Sequence, residues 1–432
     1  MSKSVPHHKV CIVGAGPCGL TAIQQLKSQG IEDIICHEAM DTFGGLWAFS
    51  EDPDRPSVYD SAHIISSRQL STFRDFPMPD EYPDFPSQRQ ILAYFQSYEN
   101  LHNLSEYIRF ESRIDRAERM ADGGWSLSVS DKNGTHQETT EHLIVAAGHH
   151  RIPSTPAIAS DFKGDQIHSS QYRRTTGFEG KRVLVVGAGN SACDIASALA
   201  RVSEHVSLSM RTPQYIVPKT LLGRPVDVQY RKMQWIPRSA LNFLFRLALP
   251  LIIGRYERYG LPQPTTEVLS SHPTLSTDIL ELLMHGKIAV RGETKAISGT
   301  TVEFSEGDAS DFDTIIWATG YKTKFPFLAD PQFDWSESLR LPLYQKIFPV
   351  DVDDIYFVGL IQPLGCIWAL ADYQSELIAN AIAGKWHRPR DIKQRLAREH
   401  ARDAAQYSNT TRHAVEVDYH EYKKVMLREL GA

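Results

Sequence analysis

Two stretches of this chain, KVCIVGAGPCGL at residues 9–20 and RVLVVGAGNSACDI at residues 182–195, each run from an apolar block straight into a glycine-rich turn. An apolar block of this length reads as a buried parallel strand, and glycines directly after it let the backbone bend and approach a ligand closely. Where a helix follows, its first amides lack intrahelical partners and favour a pyrophosphate. One such motif is a weak signal, but two with matching flanks constrain the chain to a pair of α/β dinucleotide-binding units. A later pair of strands extends the match. EHLIVAAG ends at Gly148, 134 positions after Gly14, and DTIIWATG ends at Gly320, 133 positions after Gly187. Each reads as the last strand of its own unit, with Ala147, Gly148, Thr319 and Gly320 keeping the backbone near a cofactor.

Which nucleotide each unit takes follows from the residue after its second strand, the position that meets the adenosine ribose. Glu38 stands 24 positions after Gly14, behind a strand expected over Ile34–His37. A carboxylate accepts hydrogen bonds from ribose hydroxyls and repels a 2′-phosphate, so the first unit is expected to take FAD or NAD. Arg211 stands the same 24 positions after Gly187. A guanidinium there matches a phosphate. Ala192 also replaces the third glycine, and both features favour NADPH in the second unit.

A length of 432 residues allows about three domain equivalents of ~150 each. The formal charge of −6, without a run of basic residues, argues against nucleic acid as a partner. The five cysteines, Cys11, Cys18, Cys36, Cys193 and Cys366, form neither a CxxC pair nor a zinc-ligand spacing. No metal site is expected, and neither is the redox-active dithiol of disulfide-reducing flavoenzymes. The first strand starts by Lys9, leaving no room for a signal sequence. The most apolar later stretch, residues 240–254, is interrupted by Arg246 and Pro250 and is too short to span a bilayer. It reads as a cover for the core, with a peripheral membrane contact or the wall of a substrate channel as alternatives. A soluble, cytoplasmic protein is expected.

The expected organisation is one discontinuous domain over residues 1–175 and 315–432, with a second domain over residues 176–314 inserted into it. Residues 48–109, rich in proline and aromatics, read as a loop-rich layer that walls a site. Strands around residues 125–130 read as a small antiparallel insert, and a helix is expected over residues 369–383.

FKGDQIHSSQY, residues 162–172, fits the FxGxxxHxxxY fingerprint of flavin-containing monooxygenases and lies where that family has it, just before the second glycine turn. GGLW at 44–47, DFPMPDEYPDF at 75–85, GNSxxD at 189–194, ATGY at 318–321 and GLIQPLG at 359–365 are similar too, so the resemblance spans nearly the whole chain. The hydrophobic C-terminal anchor of vertebrate members is not seen, which points to a soluble version. The resemblance implies two Rossmann-like domains, with the NADPH domain inserted into a discontinuous FAD domain. It further implies that NADPH reduces FAD and that O2 adds at flavin C4a. The resulting hydroperoxide, shielded by NADP+, then passes one oxygen atom to a soft nitrogen or sulfur of a small lipophilic substrate.

Matching motifs assigns roles to residues. Gly14, Gly16 and Gly19 would cradle the FAD pyrophosphate and Glu38 its ribose, while Leu46, Trp47, Thr319 and Gln362 would lie near a cofactor. Gly187, Gly189, Ser191, Ala192 and Asp194 would hold NADP, with Arg211 on the 2′-phosphate. Asn190 falls on a family asparagine near the active centre, and its amide can both donate and accept. His168 reads as a structural tie, and His149 and His150 as turn residues.

One departure stands out: in HIISSRQL, Ile65 occupies the place of a family asparagine and cannot hydrogen-bond a cofactor. Ser66, Ser67 or a backbone amide would have to substitute, and Ser66 is the catalytic and cofactor-binding candidate chosen. Two other readings stay open. One is Baeyer–Villiger oxygenation of a ketone, with Arg68 or Arg74 supporting the anion, a reading lowered by Tyr172 where dedicated enzymes of that kind have tryptophan. The other is an NADPH-sensing flavoprotein or a largely uncoupled NADPH oxidase. Expected partners are a small-molecule substrate and O2, without nucleic acid or a membrane span, and with a homodimer left open.

Overall fold

The structure, a computed structural model, describes residues 5–269 and 273–431. They form two compact units: residues 5–48, 66–152 and 322–431 in the first, and residues 49–65 and 153–321 in the second.

In the first unit, strand His7–Val13 pairs in parallel with Ile34–His37 on one side and with Gly134–Val145 on the other. Val10, Cys11 and Ile12 are fully buried, as a strand covered on both faces requires. Strand Ile108–Arg109 extends the sheet beyond Ile34–His37, and Ile355–Phe357 pairs in parallel with the end of Gly134–Val145. The earlier part of Gly134–Val145 runs antiparallel to Trp125–Asp131, which pairs in turn with Arg113–Arg119. This is the expected insert. Helix Pro17–Ser28 follows the first strand, with proline at a position where a missing N–H costs nothing. Helix Ile367–Ile382 packs on it through buried polar pairs, Gln25 donating to Asp372 at 2.7 Å and Thr21 meeting Ser375 at 3.0 Å.

The second unit repeats this plan. Its five strands are all parallel, in the order Ile288–Arg291, His205–Ser209, Arg182–Val186, Thr314–Trp317, Asp165–His168. The strand that leads into the glycine turn again sits between the second strand and the closing strand. A three-stranded antiparallel piece, Thr294–Ser298, Thr301–Phe304 and Ala309–Asp311, again precedes the closing strand. The chain is therefore α/β with two Rossmann-like sheets, the second unit inserted into a discontinuous first.

Two local findings differ from the sequence reading. The second compact unit takes in Asp165–His168 and residues 49–65, whereas the sequence reading carries the first domain to 175. Pairing of Asp165–His168 with Thr314–Trp317 and the ties of residues 49–65 described below are the physical reasons. In addition, residues 48–109 are less loop-like than their proline content implies, because they contain helix Gln88–His102. A capping box starts it, Ser87 accepting from the Gln90 amide while the Gln90 side chain accepts from the Ser87 amide at 2.9 Å.

Candidate functional site

In the first unit the glycine turn is bound to both neighbouring strands. The Gly14 amide donates to the His37 carbonyl at 2.8 Å, and the Ala146 amide donates to Val13 at 3.0 Å. Gly14 has φ +98°, and a Cβ on it would lie 3.0 Å from the Ala146 oxygen. At Gly19 a Cβ would lie 2.0 Å from the Gly14 oxygen, so helix and turn approach more closely than any side chain permits. GGLW closes the turn from outside: the Gly44 amide donates to Ala15 at 2.9 Å, and Gly16 and Gly45 face one another backbone to backbone. Leu46 and Trp47 follow on a short 3-10 turn, and the Trp47 ring meets Trp368 edge-on at 5.7 Å.

Glu38 ends the second strand as expected. Its carboxylate accepts from the Ala15 amide at 2.7 Å and from the Met40 amide at 2.9 Å. Burial pushes its carboxyl above the usual range, against the opposing pull of those two amides. Ser66 is buried, with its hydroxyl 2.7 Å from that of Ser71. Gln362 lies in the GLIQPLG turn, which Gln374 fixes by accepting from the Gly359 amide at 2.8 Å. His149, read from sequence as a turn residue, is enclosed beside the Gln362 side chain and the Gly359 backbone, and burial lowers its imidazole to about 4. It is therefore neutral at physiological pH. The Baeyer–Villiger candidates are both engaged, Arg74 with Glu376 and Arg68 with the Pro79 carbonyl at 2.7 Å and Asp80 at 3.1 Å.

The second glycine turn reproduces the first bond for bond. The Gly187 amide donates to Ser209 at 2.9 Å, the Ala318 amide donates to Val186 at 2.9 Å, and Gly187 has φ +142°. A Cβ there would lie 2.3 Å from the Ala318 oxygen. Gly189 caps helix Asn190–Leu199, whose first turn carries Ser191, exposed, and Ala192, fully buried. The Asn190 side-chain oxygen accepts from the Leu275 amide at 2.8 Å, while Thr274 donates to Ala188 at 2.7 Å. Arg211 is exposed and makes neither an ion pair nor a hydrogen bond among the described residues. Thr319 turns its hydroxyl to the Ser154 carbonyl at 2.5 Å.

Asp194 accepts from the Tyr59 hydroxyl at 2.8 Å, and burial pushes its carboxyl up. Tyr59 belongs to residues 49–65, and Arg173 ties down the other end of that strap. The Arg173 guanidinium, in a side chain only 7% exposed, donates to the Asp52 and Arg55 carbonyls at 2.9 and 2.6 Å. No sequence pattern marks this clamp, although Arg173 directly follows the fingerprint. Within the fingerprint, His168 meets the Gly320 carbonyl at 3.1 Å and the Ser170 hydroxyl at 2.9 Å, and burial lowers its imidazole. It joins its own strand to the end of the closing strand.

Residues 7–432 match the family model described as FMO-like, flavin-binding monooxygenase-like. Dimethylaniline monooxygenase (N-oxide-forming) 2 of Macaca mulatta is 31% identical over 447 residues, covering 98% of this chain and 83% of that protein. The chain belongs to the flavin-binding monooxygenase-like family. Two solved structures share its fold. S-allyl-L-cysteine S-oxygenase from Allium sativum has a TM-score of 0.73 at 21% identity, covering 99% of this chain and 89% of that one. Cyclohexanone monooxygenase with bound epsilon-caprolactone, in its loose conformation, also has a TM-score of 0.73, at 15% identity over 99% and 98% of the two chains.

As a member of this family the protein is an oxidoreductase, a flavin-dependent monooxygenase that uses FAD and NADPH. The residues present fit both groups. Each turn is lined by backbone at glycines where a side chain would collide, and each opens onto a helix N-terminus. All five cysteines are free, burial raising the Cys18 thiol to about 12. Among the described residues, none forms a cluster suited to a metal ion, and no helix is long and apolar enough to cross a membrane.

Proposed function

We propose that the enzyme transfers one oxygen atom from O2 to a soft nitrogen or sulfur centre of a small lipophilic molecule. The observation that carries this reading is the intact fingerprint, ending in Tyr172 rather than tryptophan. Arg68 and Arg74, the cations a ketone reaction would call on, are already committed to other partners. The names of the relatives agree: one forms N-oxides and one oxygenates the sulfur of S-allyl-L-cysteine.

In this reading Gly14, Gly16 and Gly19 bring backbone amides to the FAD pyrophosphate, Glu38 meets the ribose, and Leu46 and Trp47 exclude water beside the ring. Gly187, Gly189 and Ser191 do the same for NADP, and Arg211 pairs with the 2′-phosphate. Ala192 packs the first turn of that helix, and Asp194 steadies it through Tyr59. Asn190 offers its amide nitrogen, Gln362 is held beside a neutral His149, and Thr319 keeps the closing strand near the nucleotide through its backbone. Bound FAD, reduced by NADPH, supplies the activation of O2. The protein's part is to hold the nucleotides, keep protons and water away, and orient the substrate. Ser66 stands in for the hydrogen bond that Ile65 cannot make.

The test supplies the FAD-loaded enzyme with NADPH, 18O2 and a panel of tertiary amines, sulfides and cyclic ketones. One 18O atom per N-oxide or S-oxide is the expected result. Lactone formation from the ketones would select the Baeyer–Villiger reading instead. NADPH consumption that ends only in H2O2, with every substrate, would overturn both.

A further inference from the structure

The GLIQPLG turn, residues 359–365, is anchored by parts of the first unit that the nucleotide motifs do not reach. Its strand Gln362–Pro363 pairs in parallel with Glu416–Val417, and a Cβ on Gly365 would lie 2.7 Å from the Tyr419 ring. Its first residue is held through a longer line of contacts. The Gly359 amide donates to the Gln374 side-chain oxygen at 2.8 Å, and Gln374, fully buried on helix Ile367–Ile382, donates to the Tyr422 hydroxyl of helix Tyr419–Glu429 at 2.6 Å. Tyr422 donates in turn to the Gln345 carbonyl, and the Gln345 amide donates to Glu399 Oε2 at 3.1 Å.

Every donor in this line points the same way. The Gly359 N–H claims the Gln374 oxygen, so Gln374 gives its NH2 group to Tyr422, whose own proton is left to reach a main-chain carbonyl. Head-to-tail hydrogen bonds polarise one another, and these four end on a carboxylate. The far end is costly to build. Gln345 and Lys346 stand at φ +54° and +57°, left-handed backbone that residues with a side chain rarely adopt, and both are buried, Lys346 against Asp403 at 2.8 Å. Glu399, on helix Ile392–Gln406, is buried too, and its Oε1 has no hydrogen-bond partner among the described residues. Neither feature is what packing alone would select.

We propose that Glu399, Tyr422 and Gln374 are positioning residues for the flavin-facing turn, a one-way line of hydrogen bonds drawn tight by the carboxylate at its end. This rests on the reading above that Gln362 lies beside the flavin. Burial pushes the Glu399 carboxyl up to about 7, against the pull of the Gln345 amide, Lys346 and Arg402, while Asp403 adds to the rise. The line is therefore fully drawn only above that value, because protonation removes the charge from its last acceptor. Tyr422 and His400 do not gain or lose charge there, burial raising the one and lowering the other. Placement of the turn, and with it the surroundings of the flavin, should follow pH through the neutral range.

The test compares the FAD-loaded wild type, Tyr422→Phe and Glu399→Gln by hydrogen–deuterium exchange across residues 359–365 and by the flavin absorbance spectrum. Expected in Tyr422→Phe is exchange about three- to tenfold faster, confined to the turn and its anchors, together with a shifted flavin band. In the wild type the band, and the exchange once corrected for its intrinsic dependence on pH, should titrate with a midpoint near 7, a step that Glu399→Gln removes. Gln362→Ala, which should shift the band by itself, tests the reading beneath. If it does so while Tyr422→Phe and Glu399→Gln leave band and exchange as in the wild type, the proposal is overturned and the reading stands. A band unmoved by Gln362→Ala removes the reading, and the proposal falls with it. Exchange raised throughout the chain of Tyr422→Phe, with no pH step in the wild type, would make the line a packing feature only and would also overturn the proposal.

Discussion

The two glycine turns share strand order, hydrogen bonds and a positive φ at the first glycine, yet they differ at the third position. Gly19 is compulsory because a Cβ on it would lie 2.0 Å from the Gly14 oxygen. Ala192 fills the equivalent position with a buried methyl, so the second helix stands back by enough to hold one. The residues after the second strands differ in the same sense, Glu38 being buried and bound by two amides while Arg211 is exposed and unengaged among the described residues. A close, enclosed turn suits a nucleotide that stays, and a looser one with an open cation suits a nucleotide that exchanges.

The sharpest way to break this comparison is to exchange the third residues. Gly19→Ala forces backbone against backbone and should cost about 3 kcal/mol, read as a lower Tm and purified protein depleted of FAD. Next in size is Arg211→Ala, which removes a charge-assisted pair and should raise KM for NADPH by about 10–100-fold while leaving NADH nearly unaffected. An equal effect on both nucleotides would refute the assignment of Arg211 to the 2′-phosphate.

A third test uses pH. In the first unit the second strand ends in His37, where the second unit has Ser209. Burial pushes the Glu138 carboxyl up, but hydrogen bonds from His37 and His136 and the nearby charge of His8 outweigh it and hold it at about 2, below the usual 4.5. A depressed carboxylate contributes stability that is complete above its unfolded value and is lost as pH falls from there toward 2. On the order of 1–2 kcal/mol should go, after allowance for solvent screening. FAD release, followed by flavin fluorescence during acid titration, should therefore show a step that Glu138→Gln removes. The smallest effect belongs to Ala192→Gly, about 1 kcal/mol from helix propensity alone, with FAD content unchanged. A loss as large as that of Gly19→Ala would mean that the two turns are equally tight.

Much of this was legible before folding because glycine turns leave covalent marks at fixed intervals. The equal spacings to Glu38 and Arg211 report strand and helix lengths, and both residues stand at the strand ends where those spacings put them. Helix Gln88–His102 was also announced, by Ser87 and Gln90, but the surrounding prolines and aromatics masked the signal. The strap of residues 49–65 left no such mark, since Tyr59 reaches Asp194 across 135 positions and Arg173 binds main-chain carbonyls, which look alike in every sequence. That helix Arg238–Ile252 leaves Phe243, Leu244, Leu247 and Leu251 exposed while burying Leu241 and Leu249 was illegible for a different reason. Periodicity reveals that a helix is apolar but not which of two apolar sides the core will cover.

The bond from the Leu275 amide to Asn190 settles more than the position of a loop. A main-chain N–H can only donate, so the side-chain carbonyl of Asn190 is spoken for and the amide cannot flip end over end. What remains on offer is the whole NH2 group, which donates, and the second lone pair of the oxygen. An aspartate in its place would keep an acceptor for Leu275 but put a second oxygen where the NH2 group now donates.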